Sequence, residues 1–262
     1  MRDVSVPEYE PGSALPLAVV LAGGKGTRLR RVTRDDVAKP AVLVNGRPFI
    51  DYVLAQLECA GFERAILLLG HKADTVVTAL REHGRSRISW TPEVEDTPLG
   101  TAGCLVRLRD TASRRFIVLN GDTYVSGLNV QDFLGFHRSK GAALTVGLTK
   151  VQGATDYGTV ELDKQSRVIR FLEKGCSSEG LVNCGVYLVE RDVLRFIPEG
   201  QSFSMERELI PLLLKEEVGV YGYSFEGHFF DIGTPERLRE FARISESGAI
   251  ADGSQGTGAA EG

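Results

Sequence analysis

LAVVLAGGKGTR, residues 17–28, is the stretch that decides the fold. Its first five residues are apolar and run straight into glycines, which is typical of a buried strand that ends in a loop. At the carboxyl end of such a strand, glycines let the backbone come close to an anion with its N–H groups turned inward. The stretch therefore predicts an α/β fold with an anion site at this strand end.

The loop matches neither of the common phosphate-binding patterns. In a Walker A loop, Gly24-Lys25 would be followed by Ser or Thr, whereas Gly26 follows here. Counted from Gly24, the last position of G-x-G-x-x-G is Leu29 instead of glycine. A tight turn alone would account for the glycines, but not for the basic residues that gather beside them, which are Arg28, Arg30, Arg31 and Lys39. These charges favour a polyanion as the ligand.

Composition narrows the class of protein. With 262 residues and 42% hydrophobic content, the chain is long enough to bury a sizeable core. A net charge of −4 argues against binding to nucleic acid or to a membrane surface, which would need a basic face. The four cysteines form no C-x-x-C pair and the first residues are too polar for a signal peptide. We therefore expect a reduced, cytoplasmic protein.

Strand and helix patterns alternate in the first half of the chain. Strands are predicted at residues 17–21, 65–69, 88–90 and 116–119, and helices at 48–60, 73–82 and 101–108. The second half is mostly strands, at 143–148, 158–162, 168–172, 186–189, 218–224 and 228–232, with helices at 205–215 and 235–244. Alternation predicts βαβ crossovers and parallel strands. We expect a Rossmann-like, doubly wound mixed sheet in one compact domain with an antiparallel second half.

The domain is expected to cover residues 15–245. Residues 1–14 form an N-terminal extension in this interpretation. Residues 246–262 contain few large apolar side chains, so they are expected to be a disordered tail.

Seven motifs, in order, resemble those of the sugar-1-phosphate nucleotidyltransferases. They are GG-x-GTRL with the later Lys-Pro pair (23–40), PLGTAG (98–103), LNGDTYV (119–125), YGTVELD (157–163), EK (173–174), NCGVY (183–187) and FFDIGTPE (229–236). Each motif is short, but the ordered series is specific. These enzymes join a nucleoside triphosphate to a sugar 1-phosphate and release pyrophosphate. The resemblance implies that reaction and the nucleotide-diphospho-sugar transferase type of fold.

The resemblance implies a role for four charged residues. Arg28 would contact the leaving pyrophosphate and Lys39 the α-phosphate. Asp122 and Asp231 would hold Mg²⁺, the implied cofactor, with hard carboxylate oxygens. Helix capping is the alternative for both Asp side chains, and a solvated surface charge is the alternative for Arg28 and Lys39. Lys39 is expected to be solvated, so that its loss would cost little stability.

The resemblance also implies two sets of substrate-binding residues. The nucleotide set is Leu21, Ala22, Gly23, Gly24, Gly26, Thr27, Glu95, Pro98, Gly100 and Thr101. The sugar-phosphate set is Gly158, Glu173, Lys174, Asn183 and Gly185. An ionised carboxylate only accepts hydrogen bonds, so Glu95 favours guanine, whose ring N–H and amino group both donate, unless it simply faces water.

Five segments indicate a narrower group within the family. Together they most resemble the guanylyltransferases of D-glycero-α-D-manno-heptose 1-phosphate, and they are NGRPFIDYVL, PLGTAG, YGTVELD, LVNCGVYL and FSMERELIP. GTP and that heptose phosphate are therefore the favoured substrates. GCSS follows Glu173-Lys174 where many members have proline, which leaves the sugar open. The alternatives are thymidylyl-, uridylyl- or cytidylyltransferases of hexose 1-phosphates and a non-catalytic nucleotide-sugar-binding regulator. A glycosyltransferase would carry D-x-D, which residues 120–123 lack. A homodimer is compatible with this interpretation.

Overall fold

The computed structural model describes residues 15–24, 36–111, 113–152, 158–172, 179–247 and 250. The fold is mixed α/β with a mixed sheet, as predicted. The chain divides into two compact units. The first unit contains the described parts of residues 1–19, 97–119 and 127–227, and the second contains those of 20–96, 120–126 and 228–262.

The strands of the described residues are, in chain order, β1 Leu17–Ala22, β2 Leu43–Val44, β3 Arg47–Pro48, β4 Arg64–Leu69, β5 Ser89–Val94, β6 Arg115–Asn120, β7 Thr123–Val125, β8 Leu144–Gln152, β9 Thr159–Leu162, β10 Val168–Leu172, β11 Glu179–Glu190, β12 Val220–Ser224 and β13 Phe229–Asp231. The α-helices are α1 Phe49–Cys59, α2 Ala73–His83, α3 Gly100–Gly103, α4 Val130–Ser139, α5 Ile210–Lys215 and α6 Pro235–Glu246. Short 3₁₀ helices cover Lys39–Ala41, Cys104–Leu108 and Arg191–Phe196, and a π-helix covers Met205–Leu209.

The second unit is built on strands that are each followed by a glycine or a glutamate, which are Gly23, Gly70 and Glu95. Its strands run in the order β1-β4-β5, and β4 pairs with β5 in parallel over six residues of each strand. Residues 18–22 and 65–69 are buried on both faces of their strands, as the continuous apolar runs predict. Helix α6 closes the core, because Phe241 contacts the rings of Phe49, Tyr52 and Tyr124.

The first unit is largely antiparallel. The long strand β11 pairs antiparallel with β6, β8 and β9, and β12 joins β8 in parallel. The predicted strands at 158–162 and 168–172 form an antiparallel hairpin of β9 and β10, in whose turn Ser166 N donates to Asp163 O at 3.0 Å.

A buried polar network lies within the first unit. His137 is fully buried; its Nδ1 lies 2.7 Å from Thr145 Oγ1 and its Nε2 lies 3.1 Å from Glu190 Oε1. Burial is the main cause of the lowered pKa of His137, outweighing the hydrogen bond with Glu190 that raises it. Burial raises the pKa of Glu190, but hydrogen bonds from His137 and Arg115 together lower it by more than burial raises it. The pKa of Glu190 is therefore below its usual range.

Several predicted elements differ from the structure. Helix α4 was not predicted, although Val130, Phe133, Leu134 and His137 are buried at helical spacing and Asn129 caps the first turn. Its glycine and polar residues weakened the apolar signal. The helix predicted at 101–108 is one α-turn followed by a 3₁₀ segment. Strand β11 is three times as long as the predicted segment 186–189, because it pairs with three neighbouring strands over its length. Among the described residues, no helix is long and apolar enough to cross a membrane.

Candidate active site

Three chain segments meet where β1, β4 and β5 end. Gly23, Gly70 and Glu95 each follow one of these strands closely. A β-carbon added at Gly23 or at Gly70 would lie 2.7 Å from Glu95 Oε1, so the carboxylate lies against glycine backbone in both places. Both positions therefore require glycine while Glu95 stays where it is. Glu95 is half-buried, so it does not simply face water.

Gly121 brings the carboxylate residue that follows it, Asp122, to the end of β1. Its N–H donates to Leu21 O at 2.8 Å. A β-carbon at this position would lie 3.0 Å from Leu21 O and 3.2 Å from the β-carbon of Ala22. The NGD motif thus uses glycine for a close backbone approach, which places Asp122 beside the buried residues Leu21 and Ala22.

Lys39 and Asp122 form an ion pair across 83 residues of sequence. Lys39 Nζ lies 2.7 Å from Asp122 Oδ2, and the two side chains are 12% and 38% exposed. The expectation that Lys39 is solvated is therefore wrong. The 3₁₀ helix that begins with Lys39 is anchored just before it, because Ala38 N donates to Thr75 Oγ1 at 3.0 Å. This hydrogen bond holds the backbone directly before the lysine.

Strand pairing brings Asp231 to the same region. β13 pairs antiparallel with β7 so that Asp231 lies opposite Thr123, and Ile232 N donates to Asp122 O at 3.1 Å. Asp231 Oδ1 accepts from Gly233 N at 2.8 Å, and Oδ2 accepts from Arg237 at 2.7 Å. The N-cap of α6 is Thr234.

The capping alternative is therefore wrong for both carboxylates. Asp231 does not cap α6, and Asp122 is followed by a strand instead of a helix. A β-carbon at Gly233 would lie 2.5 Å from Asp231 Oδ1 and 3.8 Å from Lys39 Nζ. Gly233 thus lies between the carboxylate of Asp231 and the ammonium of Lys39. Asp122 is paired with Lys39 and Asp231 with Arg237, so each carboxylate has a cationic partner of its own.

The predicted nucleotide-binding residues of the first unit lie on a loop shaped by glycine. Gly100 has φ +73°, and a β-carbon there would lie 2.7 Å from Phe203 O. The N–H groups of Ala102 and Gly103 donate to the same Phe203 O at 2.9 and 3.0 Å. Thr101 Oγ1 accepts from Met205 N at 2.8 Å. We call residues 98–103, which begin at the exposed Pro98, the PLGTAG loop.

Asn183 and Gly185 form an irregular turn inside β11. Gly185 has φ +69°, and the pairing of β11 with β8 shifts between Asn183 and Tyr187. Asn183 Oδ1 accepts from Gly185 N at 2.9 Å, while its Nδ2 donates to Tyr187 OH at 2.7 Å. We call residues 183–187 the Asn183 turn. Gly158 lies just before β9 in the same unit and is half-buried.

Five predicted site residues lie outside the described residues: Gly26, Thr27, Arg28, Glu173 and Lys174. Gly24 is exposed, and a β-carbon on it would meet no atom of the described residues within 4 Å, so none of them requires glycine there. Gly70 was not predicted from the sequence, because no motif marks it. Glu206 was not predicted either, although the FSMERELIP segment contains it.

The protein is therefore an α/β protein in which acidic side chains and one lysine lie near the glycine-rich end of strand β1. The profile of the family described as nucleotidyl transferase matches residues 17–247. The chain belongs to this family of enzymes.

Individual relatives agree with that membership. The mannose-1-phosphate guanylyltransferase of Mycobacterium tuberculosis is 36% identical over 226 residues, covering 84% of this chain and 61% of that protein. The D-glycero-α-D-manno-heptose 1-phosphate guanylyltransferase of Aneurinibacillus thermoaerophilus is 33% identical, covering 85% and 95%. The crystal structure of HddC from Yersinia pseudotuberculosis complexed with GMP-PN has a TM-score of 0.78 and 30% identity, covering 88% and 100%. The chain thus spans less than two thirds of the mycobacterial relative and nearly all of the other two.

Proposed function

We propose that this protein is a sugar-1-phosphate guanylyltransferase that converts GTP and a sugar 1-phosphate into a GDP-sugar and pyrophosphate. The observation that carries the proposal is the ion pair of Lys39 with Asp122, 2.7 Å long, with Asp231 on the neighbouring strand. Transfer between phosphates needs a cation and metal ligands in one place. The names of the relatives, which are guanylyltransferases, support guanine as the base.

In the proposed reaction, an oxygen of the sugar phosphate attacks the α-phosphorus of GTP. The bond from that phosphorus to the oxygen it shares with the β-phosphate breaks, and the electron pair leaves with pyrophosphate. Both reactants are polyanions, so positioning and neutralising charge matter more than covalent help. Lys39 would exchange its contact with Asp122 for one with the α-phosphate. Arg28 is the proposed contact of the pyrophosphate.

Mg²⁺ is the cofactor that we propose for this site. Asp122 and Asp231 would hold it with carboxylate oxygens. The described residues contain no group of three or more His, Cys, Asp or Glu side chains that could hold a metal. Two carboxylates suit Mg²⁺, which commonly takes one or two from a protein and fills its other positions with phosphate oxygens and water. When bound, the ion would neutralise phosphate charge.

Glu95 is the residue that we propose to select guanine. Its carboxylate accepts hydrogen bonds and cannot donate them, which suits the ring N–H and amino group of guanine and does not suit the ring nitrogens of adenine. The glycine backbone at Gly23 and Gly70 limits where Glu95 Oε1 can lie. A fixed acceptor discriminates better than a mobile one, because a wrong base leaves it unpaired.

The sugar that we propose is D-glycero-α-D-manno-heptose 1-phosphate. The chain covers 95% of the heptose-phosphate guanylyltransferase of A. thermoaerophilus, compared with 61% of the mannose-phosphate enzyme of M. tuberculosis. Gly158, Asn183 and Gly185 are the described residues proposed to bind it. Glu173 and Lys174 complete the proposed set, with Lys174 at the phosphate of the sugar.

A matrix of triphosphates and sugar 1-phosphates, measured by pyrophosphate release with Mg²⁺, tests the proposal. We expect GTP with the manno-heptose phosphate to give the highest kcat/KM. Lys39→Ala serves as the control for a contaminating activity. Preference for mannose 1-phosphate would overturn the sugar assignment alone. Absence of release with every pair would overturn the enzyme assignment and leave a nucleotide-sugar-binding regulator.

A further inference from the structure

Glu206 is a carboxylate within the first unit that the proposed reaction has not used. It lies in the π-helix Met205–Leu209 and accepts hydrogen bonds from three hydroxyl groups. Tyr187 OH donates to Oε1 at 2.9 Å, while Ser204 Oγ and Thr101 Oγ1 donate to Oε2 at 3.1 and 3.2 Å. Thr101 belongs to the PLGTAG loop and Tyr187 to the Asn183 turn. One carboxylate therefore connects the two segments.

Each hydroxyl in this network has a fixed direction. The Oγ1 of Thr101 accepts from Met205 N at 2.8 Å, so its proton is free to donate to Glu206. In the same way, Ser204 Oγ accepts from Arg207 N at 3.3 Å. Tyr187 OH accepts from Asn183 Nδ2 at 2.7 Å, and its only proton then goes to Glu206. A carboxylate has no proton to give, so none of these directions can be reversed while Glu206 is ionised.

The network fixes the side chain of Asn183. A backbone N–H can only donate, so the contact with Gly185 N identifies Oδ1 and leaves Nδ2 for Tyr187. Burial, and next the Glu206 carboxylate, hold the pKa of Tyr187 well above its usual range, so the phenol keeps the proton that it donates. Asn183 retains one N–H and one lone pair. Those groups point in a direction that Tyr187 and Gly185 determine.

The same segment also supports the PLGTAG loop through its backbone. Phe203 O accepts from Ala102 N and Gly103 N, and Gly100 packs against it so closely that a β-carbon would lie 2.7 Å away. A shift of the π-helix would therefore move both the loop and the carboxylate. π-helical turns are rare and are found frequently at functional sites. An apolar side chain at position 206 would fill the same volume but would not orient the amide of Asn183.

We infer that Glu206 is a positioning residue of the reaction, which fixes the sugar-facing amide of Asn183 through Tyr187 and the base-facing loop through Thr101. This inference rests on the proposed function, because that function assigns the two segments to sugar and nucleotide. Glu206 touches neither substrate in this scheme. When a substrate orders either the PLGTAG loop or the Asn183 turn, the shared carboxylate also orders the other segment. The binding of one substrate therefore increases the affinity for the other.

The first test uses the ligand-free full-length protein and amide hydrogen exchange. Tyr187→Phe removes only one hydroxyl in the Asn183 turn, but it should accelerate exchange of the Ala102 and Gly103 amides about tenfold, the equivalent of about 1.4 kcal/mol. Thr101→Val should do the same to the Gly185 amide. Glu208→Gln is the matched control on the same π-helix, because Glu208 is exposed and a Gln oxygen can still accept from Ser204 N. Exchange that changes only beside each substitution would overturn the inference.

The second test is kinetic and uses Glu206→Gln with the same control. In Gln an amide nitrogen replaces one acceptor oxygen, so at least one of the three donors loses its acceptor. That donor is Tyr187 if the nitrogen replaces Oε1, and the donors are Thr101 and Ser204 if it replaces Oε2. We expect the KM of both substrates to rise about tenfold, and the coupling between them in equilibrium binding to fall by a similar factor. Thr101→Val and Tyr187→Phe should be non-additive in the double variant, since both act on one carboxylate.

The outcomes separate the role of Glu206 from the proposed function. If the wild-type protein turns over and Glu206→Gln behaves as Glu208→Gln does, the inference fails and the proposed function stands. If the wild-type protein releases no pyrophosphate with any substrate pair, the proposed function fails. Hydrogen exchange then still decides whether Glu206 couples the two segments, because that measurement needs no substrate.

Discussion

Replacement of Lys39 by methionine would remove the cation that is paired with Asp122, one of the two candidate metal ligands. Methionine keeps much of the aliphatic stem, so the main loss is the 2.7 Å contact with Asp122. Hydrogen bonds to charged groups contribute about 1.5–3 kcal/mol net, and exposed ion pairs about 0–1 kcal/mol. The lysine is 12% exposed and the aspartate 38%, so we expect a loss of about 1 kcal/mol in the free energy of unfolding without Mg²⁺.

Added Mg²⁺ should reverse much of that loss. In the wild-type protein the ion must replace the ammonium of Lys39 at Asp122, whereas in the variant Asp122 has lost that ammonium and only Asp231 keeps its ion pair, with Arg237. A difference of about 1 kcal/mol corresponds to roughly fivefold tighter binding of Mg²⁺ by the variant. Turnover should nevertheless fall by about 10²–10³-fold, because the charge at the α-phosphate is lost.

Urea unfolding across a Mg²⁺ titration measures the stability effect, and pyrophosphate release measures turnover. Lys164→Met is the control for the loss of one lysine charge, since Lys164 is exposed in the β9–β10 hairpin. Equal stability of the two variants without Mg²⁺, together with an equal response to Mg²⁺, would show that Lys39 does not compete for the carboxylates.

Three further predictions concern selectivity, packing and pH. Glu95→Gln should reduce the preference for GTP over other triphosphates about tenfold in kcat/KM; unchanged selectivity would exclude Glu95 from base recognition. Gly121→Ala should destabilise the protein in urea by about 1–3 kcal/mol, because the new methyl group meets the backbone of β1, whereas Gly135→Ala, where a β-carbon meets nothing within 4 Å, should be neutral or stabilising. The pKa of His137 is lowered in the folded protein, so the contribution of its neutral form to the free energy of unfolding is complete above about pH 6.5. That contribution is lost as the pH falls below this value, at up to about 1.4 kcal/mol per pH unit. His137→Asn should flatten this slope between pH 7 and 5, and parallel slopes would refute the prediction.

The sequence predicted the fold class because its strongest local signals agree. Continuous apolar runs at residues 17–21 and 65–69 fit only strands that are buried on both faces, and both are strands. Helices α1 and α2 were predicted within two residues at each end. The segments with weak or mixed signals were the ones that differed. Residues 100–108 and 205–209 adopt short helical turns of different types, whose form depends on the contacts between them at Thr101 and Met205.

Candidate site residues could be proposed from the sequence only where a motif marks them. Asp122 and Asp231 were proposed as metal ligands from their place in NGD and FFDIGTP, and the structure brings them together through the pairing of β7 with β13. Gly70 has no such motif, and its importance depends on the position of Glu95, which comes from a different strand. Contacts between residues that are distant in sequence leave no local pattern.

The sequence by itself determined the α/β class, the glycine end of β1 and the family, because these depend on local propensity and on ordered motifs. Tertiary structure alone decided that Lys39 is ion-paired instead of solvated, and that the hydroxyls of Thr101, Ser204 and Tyr187 share one carboxylate. The physical reason is that a charge or a hydroxyl has no preferred environment of its own. Its burial and its partner are set by backbone segments that only folding brings within hydrogen-bonding distance.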